Sequence, residues 1–278
     1  MNLVYHHTTT DGLIGIIGNE TLWATDIHFL NDYDEYVAGM EKIFRVCEKS
    51  KSVANGGKLA GAINGFYDII SELIKVNIEA RTTFIVSFTK TRDNLRQWMS
   101  YGKPNSSYSI GFNAEAFKNI RLDEENHYSS ELAYAFREVD YESDSTIEPV
   151  LNLESVMSHL KEMGQSQSGG LEYARHLVNE LMFGCCSIKR NEFEDENESR
   201  MLVQTRKVGA SFSGMKFRNS GGVITPYINV PIPLSAIHEI IIGPSINKEF
   251  AEKGLRKMLQ HKEIECKVSH STCTLRQY

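Results

Sequence analysis

The chain has 278 residues, 41% hydrophobic and 24% charged, which supports a sizeable core and excludes an intrinsically disordered chain. Its formal net charge of −6 gives no support to a partner held by a bulk basic field, and no apolar run approaches the roughly 20 residues that cross a bilayer. Five cysteines without CxxC spacing fit neither a disulfide framework nor a zinc site, and no basic-then-apolar leader is present, so a cytoplasmic protein with no membrane partner is expected.

Leu3–Thr8 predicts a first strand, on which His6 and Thr8 point one way and Tyr5 and His7 the other. Thr9-Thr10-Asp11 then caps a helix of about residues 11–18, ended by Gly18-Asn19. Leu22–Thr25 reads as a short strand and residues 34–49 as a helix. Residues 58–80 carry Ile63, Phe66, Ile70 and Ile74 at helical spacing and predict a long amphipathic helix. Strands are expected at Phe84–Phe88 and Tyr108–Phe112, with a helical or turn segment over Arg92–Tyr101 between them. A short helix near 114–119 and a strand within 131–142 follow. Two helices, 147–163 and 171–186, flank the Gly/Ser/Gln loop of 164–170. The segment 188–195 reads as polar. Arg200–Thr205, Val223–Val230, Ile237–Ile242 and about 264–269 read as strands, with a helix over about 246–260.

This order predicts an α+β fold in a single domain, 1–278, with helical insertions near 35–80 and 147–186. The phosphate loops GxGxxG and GxxxxGK[ST] are both missing, which argues against a Rossmann dehydrogenase and a P-loop NTPase.

Four clusters carry chemistry. His6 and Thr8 form a His-x-Thr strand of the kind that holds the nicotinamide-ribose end of NAD, although half-buried strands carry such residues often. Asn31-Asp32-Tyr33-Asp34-Glu35 precedes a helix, where Asp32 or Asp34 is an ordinary cap and Asn31 and Glu35 remain available to a pocket. Ser87 is followed by Trp98 and Tyr101, spaced to share a helical face that suits a flat cationic ring or, equally, packing under a sheet. Glu196, Glu198 and Arg200 alternate into Met201-Leu202-Val203. On a strand they share one face, either as an exposed charge ladder or as a carboxylate kept ionised by Arg200. Arg206, Lys207, Lys216 and Arg218 form local basic stretches, read as solvated surface or the lining of a groove. Cys185-Cys186 reads as buried thiols.

Taken together, Tyr5-His6-His7-Thr8-Thr9, Leu22-Trp23-Ala24, Leu30-Asn31-Asp32 with Glu35, Ser87-Phe88, Trp98 with Tyr101-Gly102, Ile110-Gly111-Phe112, Glu196 with Glu198 and Arg200, and Ile240-Ile241-Ile242-Gly243-Pro244 resemble a widespread bacterial family of uncharacterised proteins. Its first strand is similar to that of ADP-ribosyltransferases, including toxins that modify nucleic acids. The resemblance implies a split mixed or antiparallel sheet around an NAD cleft. It would make His6 and Thr8 contacts of the ribose and nicotinamide, Tyr101 the stacking aromatic, and Glu198 or Glu196 the catalytic acid. The expected activity is NAD-dependent mono-ADP-ribosylation of RNA, DNA or protein, with NAD as substrate and an antitoxin or accessory protein as a possible partner. A non-catalytic sensor or adaptor using the same cleft is the alternative. A nuclease built on Asp32, Asp34 and Glu35 around a divalent metal is a third, and no metal is expected for the first two.

Overall fold

The computed structural model describes residues 2–30, 33–54, 60–102, 107–118, 120, 132–141, 158, 167–205, 214–244 and 247–273. β1 (Leu3–Thr9) runs into α1 (Thr10–Asn19), where the Thr9 hydroxyl accepts from the Gly12 amide and caps the helix. β2 (Thr21–Asp26) precedes α2 (Tyr33–Ala54) and α3 (Ala60–Ala80). β3 (Thr83–Thr89), α4 (Leu95–Tyr101) and β4 (Ser107–Asn113) follow. Asn94 caps α4 through the Arg96 amide. Then come β5 (Leu132–Glu138), β6 (Asp140–Tyr141), α5 (Gln167–Cys185), β7 (Ile188–Lys189) and β8 (Glu198–Thr205). β9 (Lys216–Ser220), β10 (Val223–Pro231), β11 (Ile237–Ile242), α6 (Lys248–His261) and β12 (Lys267–His270) close the described chain.

The fold is α+β, and its main sheet is mixed. Strands run in the order β12-β11-β4-β1-β3-β2-β10-β9, with β8 on β3 and β5 on β8. β11 and β12 are parallel, and the other pairs of this sheet are antiparallel. The sheet branches at β3. One edge of β3 ladders with β8 along its length. The other edge is shared, with β1 meeting it at Thr89 and β2 at Phe84 and Ile85. Between them the edge of β3 is open, and β1 and β2 diverge like a fork.

Side chains alternate across this sheet, so each face has its own cover. Val4, Phe84, Val86, Phe88, Met201 and Val203 pack with Leu13, Ile16 and Ile17 of α1 and Leu255 and Leu259 of α6. On the opposite face, Ile85 and Leu202 pack under α2, α3 and α5 through Ile43, Tyr67, Ile70 and Met182. Tyr5, Trp98 and Ile241 form a smaller core on that second face, under α4. Each such side chain taken from water contributes roughly 1.5–3 kcal/mol. No described helix is long and apolar enough to cross a membrane.

Most predicted elements appear within a few residues of their expected bounds. The short helix expected near 114–119 is a 3-10 turn, Ala114–Phe117. The polar segment 188–195 contains the strand β7 and a 3-10 helix, Asn191–Glu196. The sequence pattern gives no sign of β9. It is a five-residue edge strand, largely exposed, so it lacks the alternation that marks a half-buried strand. Gly221 and Gly222, with φ of 59° and 88°, make the tight turn that folds it onto β10. The helix expected over 147–163, apart from residue 158, lies outside the described residues.

Candidate functional site

Registered partners in a sheet project from the same face, which fixes the contents of the second face. Tyr5 pairs with Thr89, and Thr89 with Glu198. Ser87 pairs with Arg200. On the far prong of the fork Ile85 pairs with Thr25, Thr25 with Tyr227, and Thr225 with Arg218. Ser87, Glu198, Arg200, Thr25, Tyr227 and Arg218 therefore share one face.

At its centre lies a buried charge cluster. Glu198 is 5% exposed. Its carboxylate accepts from Arg200 Nε at 2.8 Å and Nη2 at 3.0 Å, a bidentate pair, and from Lys189 Nζ at 3.2 Å. The Ser87 hydroxyl donates to it as well. Burial opposes its ionisation. The charge and hydrogen bonds of Arg200, the Lys189 ammonium and Ser87 outweigh that and hold the carboxyl down to about 2. Arg200 Nη1 also donates to the Cys186 carbonyl, which ties the pair to the end of α5. Lys189 reaches Glu196 at 2.8 Å and lies 4.9 Å from the centre of the Phe193 ring. Glu196 is not on the strand. It ends the 3-10 helix, Asn197 turns the chain with φ of 44°, and β8 begins at Glu198. Glu198 and Arg200 thus share a strand face as the alternation predicts, while Glu196 joins them through Lys189.

The fork holds His6. By alternation its side chain belongs to the first face, opposite Glu198. Its ring lies 5.7 Å from that of Phe88, and Nδ1 donates to the Ser87 carbonyl at 3.1 Å. That carbonyl sits on the stretch of β3 edge that neither β1 nor β2 covers. His6 and Glu198 are therefore not two walls of one open hollow; they are linked through the two sides of Ser87. Burial lowers the His6 pKa, the bond to Ser87 raises it, and the Arg218 charge lowers it, so the ring is neutral at neutral pH.

The other expected contacts separate. Thr8 lies on the first face beside Gly12 of α1. Trp98 is 1% exposed, stacked edge-on to His7 with centroids 4.5 Å apart, and its Nε1 donates to Asp93 at 2.7 Å. Its ring is a strut between α4 and β1, closed to a ligand. Tyr101, three residues on, is 49% exposed. Asn31 and Asp32 lie outside the described residues, as do the side chain of Glu35, Arg206 and Lys207. Among the described residues no group of His, Cys, Asp and Glu is arranged to hold a metal.

Three clusters have partners that the sequence spacing does not predict. Lys189 is buried beside two carboxylates, and nothing in its local pattern marks it. Asp93 accepts from Trp98, from the Ser271 hydroxyl at 2.7 Å and from the Thr272 amide at 2.7 Å, fastening the end of the described chain under α4. Burial opposes ionisation of Asp93, but these donors hold it well below the usual carboxylate range. Arg218, read as one of several basic residues, lies over the rings of Trp23 and Tyr227 at 5.3 and 5.9 Å and donates from Nη2 to Thr25 Oγ1 at 2.8 Å. The Gly221-Gly222 turn was the available signal, since it places Arg218 on a hairpin beside β10.

A family model described as a protein of unknown function (DUF2971) matches residues 97–201, which include Trp98, Tyr101, Glu196, Glu198 and Arg200 but neither His6 nor Arg218. No curated protein and no solved structure matches the chain.

Proposed function

We propose that this chain is an NAD-dependent mono-ADP-ribosyltransferase that modifies a macromolecular acceptor, RNA, DNA or protein, in a toxin or phage-defence setting. The observation that carries the reading is an ionised, rigidly held Glu198 joined through Ser87 to the fork where β1 and β2 part. ADP-ribosyl transfer breaks the bond between ribose C1′ and the nicotinamide nitrogen, and the bonding pair leaves with nicotinamide. Positive charge develops on the sugar, as in glycoside hydrolysis. A fixed carboxylate beside that carbon stabilises it without reorganising during the reaction. An acceptor oxygen or nitrogen then bonds to C1′ and gives its proton to solvent.

Ser87 marks where a ribose hydroxyl would compete for Glu198, since the donor it replaces is a single neutral one. Glu196 is the second candidate acid. Its side chain is 12% exposed against 4% for Glu198, and it is held by Lys189 at 2.8 Å and Arg96 at 3.4 Å. One observation favours a non-catalytic sensor or adaptor instead: Glu198 already accepts from Arg200, Lys189 and Ser87.

Incubation with NAD labelled in its adenylate half and a cell lysate separates these readings. The transferase releases nicotinamide and leaves label on material that either nuclease or protease destroys. Glu198→Gln is expected to abolish release with the circular dichroism unchanged, and Glu196→Gln reports whether the neighbouring acid shares the role. Full activity in both variants overturns the assignment. Calorimetric binding of NAD with no nicotinamide released favours the sensor.

A further inference from the structure

Arg218 differs from three other guanidiniums near this face. Arg200 is matched by Glu198, Arg92 by Glu239 and Arg96 by Asp195. Among the described residues no carboxylate pairs with Arg218. Its hydrogen-bond partner is the neutral Thr25 hydroxyl, and its buried Nε has no acceptor. The group is half-buried, and burial pushes its pKa down while the Tyr227 phenol acts the other way. Desolvating a cation without a counter-charge is costly. It sits on β9, an otherwise exposed edge strand.

The surroundings are built to aim the group. Trp23 and Tyr227, with ring centroids 4.8 Å apart, lie 5.3 and 5.9 Å from the Arg218 guanidinium carbon. Thr25, itself 5% exposed, fixes one nitrogen. Ring contact engages the plane of a guanidinium and leaves its N–H donors at the rim, the geometry that meets a phosphate in bidentate fashion. Arg218 shares the face of Ser87 and Glu198, and its charge reaches His6 in the fork.

We propose that Arg218, steadied by Trp23, Tyr227 and Thr25, is an anion subsite that receives the diphosphate of a small nucleotide on the far prong of the fork. A single braced cation in a chain of net charge −6 fits one diphosphate better than the backbone of a nucleic acid. The inference rests on the transferase reading only in naming the dinucleotide as NAD; the subsite itself does not require that reaction.

Calorimetric titration of the full chain with ADP and with adenosine tests it, because the two differ by the diphosphate alone. The wild type is expected to prefer ADP, and Arg218→Gln to weaken ADP by about ten- to a hundredfold while leaving adenosine unchanged. Arg218→Lys is expected to fall between, keeping charge but losing the fork of donors, and thermal unfolding checks that both variants fold. Equal binding of ADP and adenosine by the wild type overturns the subsite, as does an undiminished ADP preference in Arg218→Gln. So does binding of a single-stranded oligonucleotide by a chain that does not bind ADP. Nicotinamide release is read separately: ADP preference without release sinks the transferase and keeps the subsite, and release with an unchanged KM for NAD in Arg218→Gln does the reverse.

Discussion

Two guanidiniums on one sheet face have opposite circumstances. Arg200 is 2% exposed and spends its donors on Glu198 and the Cys186 carbonyl. Arg218 is half-buried on an edge strand and meets two aromatic rings and a hydroxyl. The first arrangement satisfies itself. It fixes where β8, β7 and the end of α5 meet, and it keeps a carboxylate ionised in a dry place. The second has no carboxylate partner among the described residues. Paired buried charges hold a shape, whereas the Arg218 guanidinium is the proposed seat of an incoming diphosphate.

That contrast breaks most readily at Arg200. Arg200→Met leaves Glu198 buried with Lys189 as its one cation and is expected to cost about 3–5 kcal/mol in urea unfolding. A loss below about 1 kcal/mol would mean the pair does not hold the fold. The double variant Arg200→Met/Glu198→Leu should recover part of the loss, because apolar packing replaces both charges.

Acid gives the next effect. Glu198 titrates near 2 in the folded chain against an ordinary 4.5, so the unfolded chain takes the proton more readily. Its contribution, on the order of 3 kcal/mol, is complete above about 4.5 and is lost as pH falls towards 2. His7 opens an earlier window. Burial, the His6 charge and an opposing contribution from Asp93 leave its pKa at about 3 against 6.5. Stability should therefore decline as pH falls below about 6.5. His7→Gln is expected to lessen the decline between about 6.5 and about 3, with His6, also lowered by burial, keeping its share and the Glu198 contribution below about 4.5 left in place. Parallel curves for both proteins would refute this assignment.

Asp93→Asn is expected to cost about 1–2 kcal/mol, since Ser271, Thr272 and Trp98 keep only a neutral acceptor. Faster hydrogen exchange in residues 271–273 would locate the loss. The smallest effect sharpens the comparison from its other side. Arg218→Gln gives up ring contacts worth about 0.5–1 kcal/mol and no ion pair, so its stability should change by about 1 kcal/mol or less. A loss as large as that of Arg200→Met would show that Arg218 is structural too.

The sequence revealed these two regions unequally. The i, i+2 spacing of Glu198 and Arg200 was enough to join them, because strand alternation is local. The shared β3 edge was not legible, since which strands meet there depends on pairings across Tyr5–Thr89 and Thr25–Ile85, far apart in the chain. Trp98 and Tyr101 have the spacing of one helical face, yet the sheet buries one and leaves the other in solvent. Lys189 carries no local signal because its partners, Glu196 at the end of the 3-10 helix and Glu198 at the start of β8, meet it only once the chain has turned between them. Arg218 reads in the sequence only as one more basic residue, since its lack of a carboxylate partner among the described residues depends on what the hairpin packs beside.

The central claim is that Glu198 and Arg218 serve one ligand on one face of a forked sheet. A crystal structure of the chain with ADP-ribose tests it most directly. The diphosphate is expected on the Arg218 guanidinium and the terminal ribose against Ser87 and Glu198. A ligand bound on the α1 face, or one that leaves Arg218 untouched, would contradict it.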